Sequence, residues 1–230
     1  MRSVEERAKV TRGISVAPVY RMLAQSIDER GLRPEVLLDV GCGRADFYPF
    51  ARDRARRYVG VDVLRHAGFP EHLELVQVDL ETGRVPLPDG FADVVVCAET
   101  IEHVENPRAL ARELVRLVRA GGWVFITTPN QLSGASLLCL LARGQFQWFQ
   151  EFPGSYPEHL SALLEIDLIR IARECGLVDV DILYSGSGRV PFTPRQWPPP
   201  LRAQRGSVAR LFSDNILVCG RKPPPEPSAP

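Results

Sequence analysis

Asp39-Val40-Gly41-Cys42-Gly43 is the first stretch whose residue types and spacing can do chemistry. Glycines two apart let a backbone turn sharply and approach a ligand closely. A carboxylate two residues ahead can accept from a ligand's ammonium group. Further acids close later apolar runs, Asp62 after Tyr58-Val59-Gly60-Val61 and Asp79 after Leu75-Val76-Gln77-Val78. The first can accept both hydroxyls of a ribose and the second can accept from an adenine amino group, and for each single acid a capping or turn role is the alternative. A second group is Glu99-Thr100-Ile101-Glu102-His103 with the distant His159. Two carboxylates and two imidazoles can move a proton or hold a divalent ion.

These residues need elements to position them. Val36-Leu37-Leu38-Asp39-Val40 is almost continuously apolar, which suits a strand buried on both faces of a parallel sheet. A helix over about 14–30 precedes it, stopped by Gly31. The glycine turn leads into a helix expected over about 44–56. Strands follow at 57–62, 73–78 and 92–97. Asn106-Pro107 is a helix start, an asparagine cap with proline in the first turn. Leu110, Leu114, Leu117 and Val118 share one face of that helix, and Gly121-Gly122 is expected to end it. A strand over 123–128 comes next. Strand–helix alternation of this kind predicts an α/β, doubly wound parallel sheet. Beyond Pro129 the pattern loosens. A short helical piece near 136–141, a helix over 161–175 and strands near 177–184 and 213–221 are expected, with a Pro- and Arg-rich loop over 189–206. The organisation reads as an N-terminal helical segment over 1–33, one domain over 34–222 with an insertion at 129–157, and a disordered tail over 223–230.

Composition narrows the classes. The 230 residues carry 45% hydrophobic and 24% charged side chains and a formal net charge of +0, with no broad basic field for nucleic acid or anionic lipid. Five cysteines, an odd number with no Cys-x-x-Cys, argue against a disulfide framework or thiolate zinc site and fit a reduced, cytoplasmic setting. The N-terminus has no apolar core of a signal peptide, and the apolar stretch 136–142 is too short to span a bilayer.

Two cofactor classes use a turn like Asp39–Gly43, dinucleotides and S-adenosylmethionine. A dinucleotide ordinarily has a third glycine three residues after the second, where its pyrophosphate meets the helix N-terminus. Asp46 stands there, and a carboxylate repels phosphate but not a phosphate-free cofactor. Val36 to Gly43 resembles the first motif of class I S-adenosylmethionine-dependent methyltransferases. Gly60-Val61-Asp62 is similar to their second-strand acid and Val78-Asp79-Leu80 to their adenine-side acid. Ala98 to Pro107 and Gly121 to Asn130 resemble segments of the ubiquinone-biosynthesis-like branch. The resemblance implies a Rossmann-like, mostly parallel seven-stranded sheet with an antiparallel C-terminal hairpin. It implies that Asp39, Gly41, Cys42 and Gly43 line the methionine moiety, that Asp62 and Val63 hold the ribose, and that Asp79 and Leu80 flank the adenine. Glu99 would face the sulfonium end.

The expected activity is methyl transfer from S-adenosylmethionine to a small-molecule or glycan/lipid-linked acceptor at oxygen. The donor is already activated, so the protein positions the acceptor and excludes water. An oxygen acceptor must also lose its proton. Of the four histidines, His66 and His72 fall near the second-to-third-strand connection, away from the methyl end. Either His103 caps the loop before the Asn106 helix and His159 orders the next helix start, or they act chemically, with His159 the preferred base and His103 the next; no metal is expected. Two alternatives stay open. Glu99, Glu102, His103 and His159 could hold a divalent ion, as in a metal-dependent RNA 2′-O-methyltransferase, although no basic, aromatic-rich RNA platform is visible. A non-catalytic S-adenosylmethionine-binding protein is the other. Phe146, Trp148, Phe149 and Phe152 form either a lid over the acceptor or a satellite core under a long segment. The acceptor and the oligomeric state are not written in these motifs.

Overall fold

The computed structural model describes residues 3–11, 13–81, 84–151, 158–191, 193, 195–198 and 203–224. Phe152, the residues just before Glu158, and the tail over 225–230 lie outside the described residues.

The apolar runs form a seven-stranded sheet. Its strands are β1 (Val36–Val40), β2 (Arg57–Asp62), β3 (Glu74–Gln77), β4 (Ala92–Ala98), β5 (Val118–Pro129), β6 (Val178–Tyr184) and β7 (Asn215–Arg221). They lie in the order β3-β2-β1-β4-β5-β7-β6. Pairing is parallel from β3 through β5, while β7 runs antiparallel to both β5 and β6. The helices are α1 (Val4–Thr11), α2 (Ala17–Glu29), α3 (Tyr48–Ala51), α4 (Pro107–Leu117), α5 (Gly134–Arg143), α6 (Glu165–Glu174) and α7 (Gly206–Phe212). No helix among the described residues is long and apolar enough to cross a membrane.

The sheet has a core on each face, which explains why β1 is apolar throughout. Leu38 and Val40 join Leu110, Leu114, Leu117, Leu168 and Ile171 of α4 and α6. Leu37, pointing the other way, joins Met22, Leu23 and Ile27 of α2 with Phe47 and Phe125. Each fully buried leucine of this kind stabilises the fold by about 1.5–3 kcal/mol. Helix α4 starts as its sequence dictates, with the Asn106 side chain accepting from the Ala109 amide at 3.0 Å.

Several expectations are corrected. The helix over 44–56 is only the single turn α3, because Gly43 and Ala45 take left-handed φ values of 54° and 61° and delay its start. At its far end Arg54 donates to the Phe50 carbonyl at 2.6 Å and pairs with Asp28, turning the chain away. Gly121 and Gly122 do not end α4: the chain turns extended at Val118, and both lie within β5. A Cβ at Gly122 would stand 2.5 Å from the Asp93 carbonyl, so β4 needs glycine beside it. Strand β3 stops at Gln77, short of Asp79, and α6 begins at Glu165, not 161. Helix α7 follows directly on the stretch read as loop.

Candidate functional site

A cavity of about 380 Å³ opens at the carboxyl ends of β1, β2, β4 and β5, and its wall includes Asp39, Gly41, Cys42, Asp62, Val63 and Leu80. Carboxyl strand ends beside the point where strand order reverses are where open α/β sheets bind ligands. The turn itself is pinned, with the Gly41 and Cys42 amides both donating to the Val61 carbonyl at 2.8 and 3.1 Å. Gly41 has φ 78°, and a Cβ there would lie 2.1 Å from Thr100 Oγ1. A side chain at this position would therefore meet Thr100 as well as backbone strain.

Asp39 is 2% exposed. Its Oδ2 accepts from the Tyr58 hydroxyl, and its Oδ1 has no hydrogen-bond partner among the described residues. Burial pushes its carboxyl up to about 7; the Tyr58 hydroxyl opposes the rise and the charge of Asp62 adds to it. Asp62 is held differently. Its Oδ2 accepts from the Gly43 amide and its Oδ1 from the Val63 amide, both at 2.8 Å. Oδ1 also takes the Leu64 amide at 3.5 Å, and Oδ2 keeps a further lone pair for a ligand hydroxyl.

Two residues expected to contact the cofactor stand elsewhere. Gly43 is outside the cavity wall: its amide holds Asp62, and a Cβ there would lie 2.0 Å from the Gly13 carbonyl. Asp79 is also outside the wall, because its Oδ1 turns back to accept from the Glu81 amide at 2.9 Å. Asp46 pairs with Arg44 at 3.1 Å and stands ahead of a one-turn helix. Its supposed repulsion of a pyrophosphate at a helix N-terminus therefore loses its basis. His66, expected away from the methyl end, is in the wall beside Asp62, its Nε2 3.4 Å from Oδ1, while His72 lies edge-on to Tyr48.

The other end of the cavity gathers Glu99, Glu102, His103 and His159 with Trp148, Asp214 and Asn215. Glu99 has a left-handed φ of 49°. That strained backbone is held by Thr127, whose Oγ1 accepts the Glu99 amide at 3.1 Å, and by Asn215, which donates to Oε2 at 2.8 Å. Glu102 is 0% exposed and accepts from the Thr128 hydroxyl at 3.1 Å. The Glu102 carbonyl accepts the Leu160 and Ser161 amides at 2.8 and 3.1 Å, which brings His159 alongside. His103 Nδ1 lies 2.7 Å from the Glu158 carbonyl, and the two imidazole rings are 4.7 Å apart, edge to face.

Burial governs the protonation of this end. It pushes Glu99 up to about 7 against the opposing hydrogen bonds from Thr127 and Asn215. It raises Glu102 as well, with the charge of Glu99 adding to the rise. Burial lowers His103 and takes His159 down to about 3, so both rings are neutral near pH 7. Among the aromatics, Phe149 lies 5.3 Å from the His159 ring, and the short 3-10 turn Gln147–Phe149 packs on α5.

Four contributors carried no sequence signal. Tyr58 reads as an ordinary strand residue, and Thr100, Thr127 and Asn215 act through contacts distant in the chain. The N-terminal strap was missed too: Arg7 of α1 is buried and pairs with Glu81, and both line the cavity.

A doubly wound sheet with a glycine turn, an acid at each of the first two strand ends and an antiparallel terminal hairpin defines the class of S-adenosylmethionine-dependent methyltransferases. The unpartnered Asp39 Oδ1, beside Gly41 in the cavity wall, fits that cofactor. The chain belongs to the methyltransferase-domain family, whose model matches residues 17–182. It is similar to a ubiquinone biosynthesis O-methyltransferase of Leptothrix cholodnii, 28% identical over 81% of this chain and 77% of that one. Another of the same name, from Chromobacterium violaceum, is 30% identical over 61% of this chain and 63% of its own length. Among solved structures, a SAM-dependent methyltransferase from Archaeoglobus fulgidus matches 88% of this chain and 94% of its own with a TM-score of 0.59. At 19% identity that likeness bears on the fold alone.

Proposed function

We propose that the chain methylates a hydroxyl oxygen of a small-molecule acceptor, free or carried on a glycan or lipid. S-adenosylmethionine supplies a methyl group already activated on sulfur. Asp39 Oδ1 takes the ammonium group of the methionine moiety beside Gly41 and Cys42. Asp62 takes the ribose hydroxyls next to Val63, and Leu80 packs against the adenine. Gly43 and Asp79 act at one remove, Gly43 by fixing the Asp62 carboxylate. Glu99 faces the sulfonium end. Segment 129–157 supplies the acceptor side through Trp148.

The observation that carries the oxygen reading is His159 Nδ1, a buried lone pair without a partner in the cavity wall. It accepts from the acceptor hydroxyl and aims that oxygen at the methyl carbon, with His103 backing the same face. The acceptor oxygen bonds to the methyl carbon as the carbon–sulfur bond breaks; the electron pair stays on sulfur and the hydroxyl proton leaves to solvent. An imidazole held near 3 orients a hydroxyl better than it deprotonates one. The name shared by the curated relatives, O-methyltransferase, agrees with an oxygen acceptor. RNA asks for a basic, aromatic-rich face, which a net charge of +0 does not favour.

The test is transfer of an isotopically labelled methyl group to a panel of phenols, diols, sugars, amines and short RNAs, with the labelled atom located by mass spectrometry. Label on the oxygen of a small hydroxylated acceptor is expected. Label confined to amines or RNA contradicts the reading.

A further inference from the structure

We propose that Arg189 is a specificity-determining residue that binds an anionic oxygen group, carboxylate or phosphate, on the methyl acceptor. The inference deepens the small-molecule reading of the same cavity and rests on it.

Arg189 lies in the cavity wall together with Asp214, Asn215 and Trp148. It stands in the Pro- and Arg-rich stretch between β6 and α7, and its backbone is held there by several contacts. The Val190 amide donates to the Arg195 carbonyl at 2.8 Å and the Trp197 amide to the Gly188 carbonyl at 3.0 Å, so that Arg189 pairs antiparallel with Gln196. The Trp197 ring packs edge-on against Phe212, with ring centres 4.7 Å apart. A Cβ at Gly188 would stand 2.3 Å from the Phe212 carbonyl, so the backbone runs against the end of α7. The Arg189 amide donates to Asp214 Oδ2 at 3.2 Å.

The backbone of Arg189 is thus fixed while its guanidinium is left over. That group makes no hydrogen bond or ion pair among the described residues; its charge reaches Asp214 without pairing. The wall's other arginine, Arg7, is paired with Glu81. Around Arg189 the acids hold their charge weakly. Burial raises Glu99 and Glu102, and it raises Asp214 to about 6. Such carboxyls take up a proton as an anion approaches, and a protonated Asp214 can donate to it.

The chemistry of the guanidinium selects the ligand. Its planar fork of N–H donors matches two oxygens of a carboxylate or phosphate. A cationic acceptor would meet Arg189 and the cofactor's sulfonium together, and like charges disfavour it. An anionic group held by Arg189 gives the acceptor a second anchor, while His159 aims its hydroxyl at the methyl carbon.

The test uses the full chain and matched acceptors that differ by one anionic group: hydroxybenzyl alcohol against hydroxybenzoate, and glycerol against glycerol phosphate. Turnover gives kcat/KM, and calorimetry with S-adenosylhomocysteine present gives acceptor binding without chemistry. Wild type is expected to favour an anionic member at least about tenfold, the size of a hydrogen bond to a charged group. The pair that shows the preference tells carboxylate from phosphate. Arg189→Ala should erase the preference through KM more than kcat. Arg189→Lys, which keeps the charge without the fork, should restore part of it. Cofactor affinity checks that each variant is folded. No anionic preference in turnover or binding, or a loss in Arg189→Ala shared equally by anionic and neutral acceptors, overturns the proposal. Anion binding that depends on Arg189 without methyl transfer to oxygen keeps the site and removes the oxygen-acceptor reading. Oxygen methylation with no anionic preference does the reverse.

Discussion

The two ends of the cavity are built by different means. At the β1–β2 end each acid is held by a near neighbour in the chain: Asp39 by Tyr58 and Asp62 by Gly43, both 19 residues away. At the other end the partners are distant: His103 meets Glu158 across 55 residues and Glu99 meets Asn215 across 116. The first end is a short loop of adjacent strands, so the same local residues that fold it also fill it. The second end exists only after α6, β6 and β7 have closed the sheet. At the first end Asp62 is satisfied by backbone amides and one bare atom remains, Asp39 Oδ1, whereas at the second Glu99, Glu102 and His159 each keep a bare atom. In the proposed reading the first end binds the donor and the second receives the acceptor.

Variants on the two ends should therefore fail in different ways. The largest effect is expected of His159→Ala. It should lower turnover by about 10²-fold or more, the size of loss expected when the acceptor hydroxyl is no longer aimed at the methyl carbon. Cofactor affinity should stay within about twofold of wild type, the signature of an interaction made with the reacting groups. If cofactor affinity falls as far as turnover, the two ends are one unit and the separation is wrong. Gly41→Ala should do the opposite. Left-handed strain plus the clash with Thr100 should cost about 2–4 kcal/mol, measured as lost cofactor affinity by calorimetry or as lost melting stability. A variant that binds as wild type would show that the turn does not touch the cofactor. The smallest effect is expected of Asp62→Ala, about 1–3 kcal/mol of cofactor affinity from buried groups left unpaired. An unchanged dissociation constant would remove Asp62 from the site.

The same contrast governs what could be read from the sequence. Strand β1 was legible because Leu37 and Leu38 face two different cores, which makes the run continuously apolar. Helix α4 was legible because Asn106 and Pro107 carry its start in two adjacent residues. The glycine turn and Asp62 were legible for the same reason, since strand ends and turns are local. The helix expected after the turn was not, because the left-handed Ala45 answers to the packing of the turn and not to helix propensity. Gly121-Gly122 misled because the need for glycine came from β4 beside it, not from a helix end. Asp79 sits at a position that resembles the adenine-side acid, yet its carboxylate is spent on its own turn. At the acceptor end the residue types of Glu102, His103 and His159 were visible, while their convergence, and the parts played by Thr127, Thr128 and Asn215, depend on contacts no spacing reveals.

The most direct test is calorimetric titration of S-adenosylmethionine between about pH 5.5 and 7.5. The cofactor-free Asp39 carboxyl stands at about 7, raised by burial, and an ammonium group opposite it favours the ionised form. Affinity should therefore rise by about tenfold per pH unit below 7, with a proton released on binding, and level off before the ligand's own ammonium titrates near 8. Asp39→Asn should bind more weakly and lose the Asp39 share of that slope, leaving the share of Glu99, which also stands at about 7 and in the proposed reading faces the sulfonium. No binding at millimolar cofactor, or a wild-type affinity as flat with pH as that of Asp39→Asn, would contradict cofactor binding at the Asp39 turn.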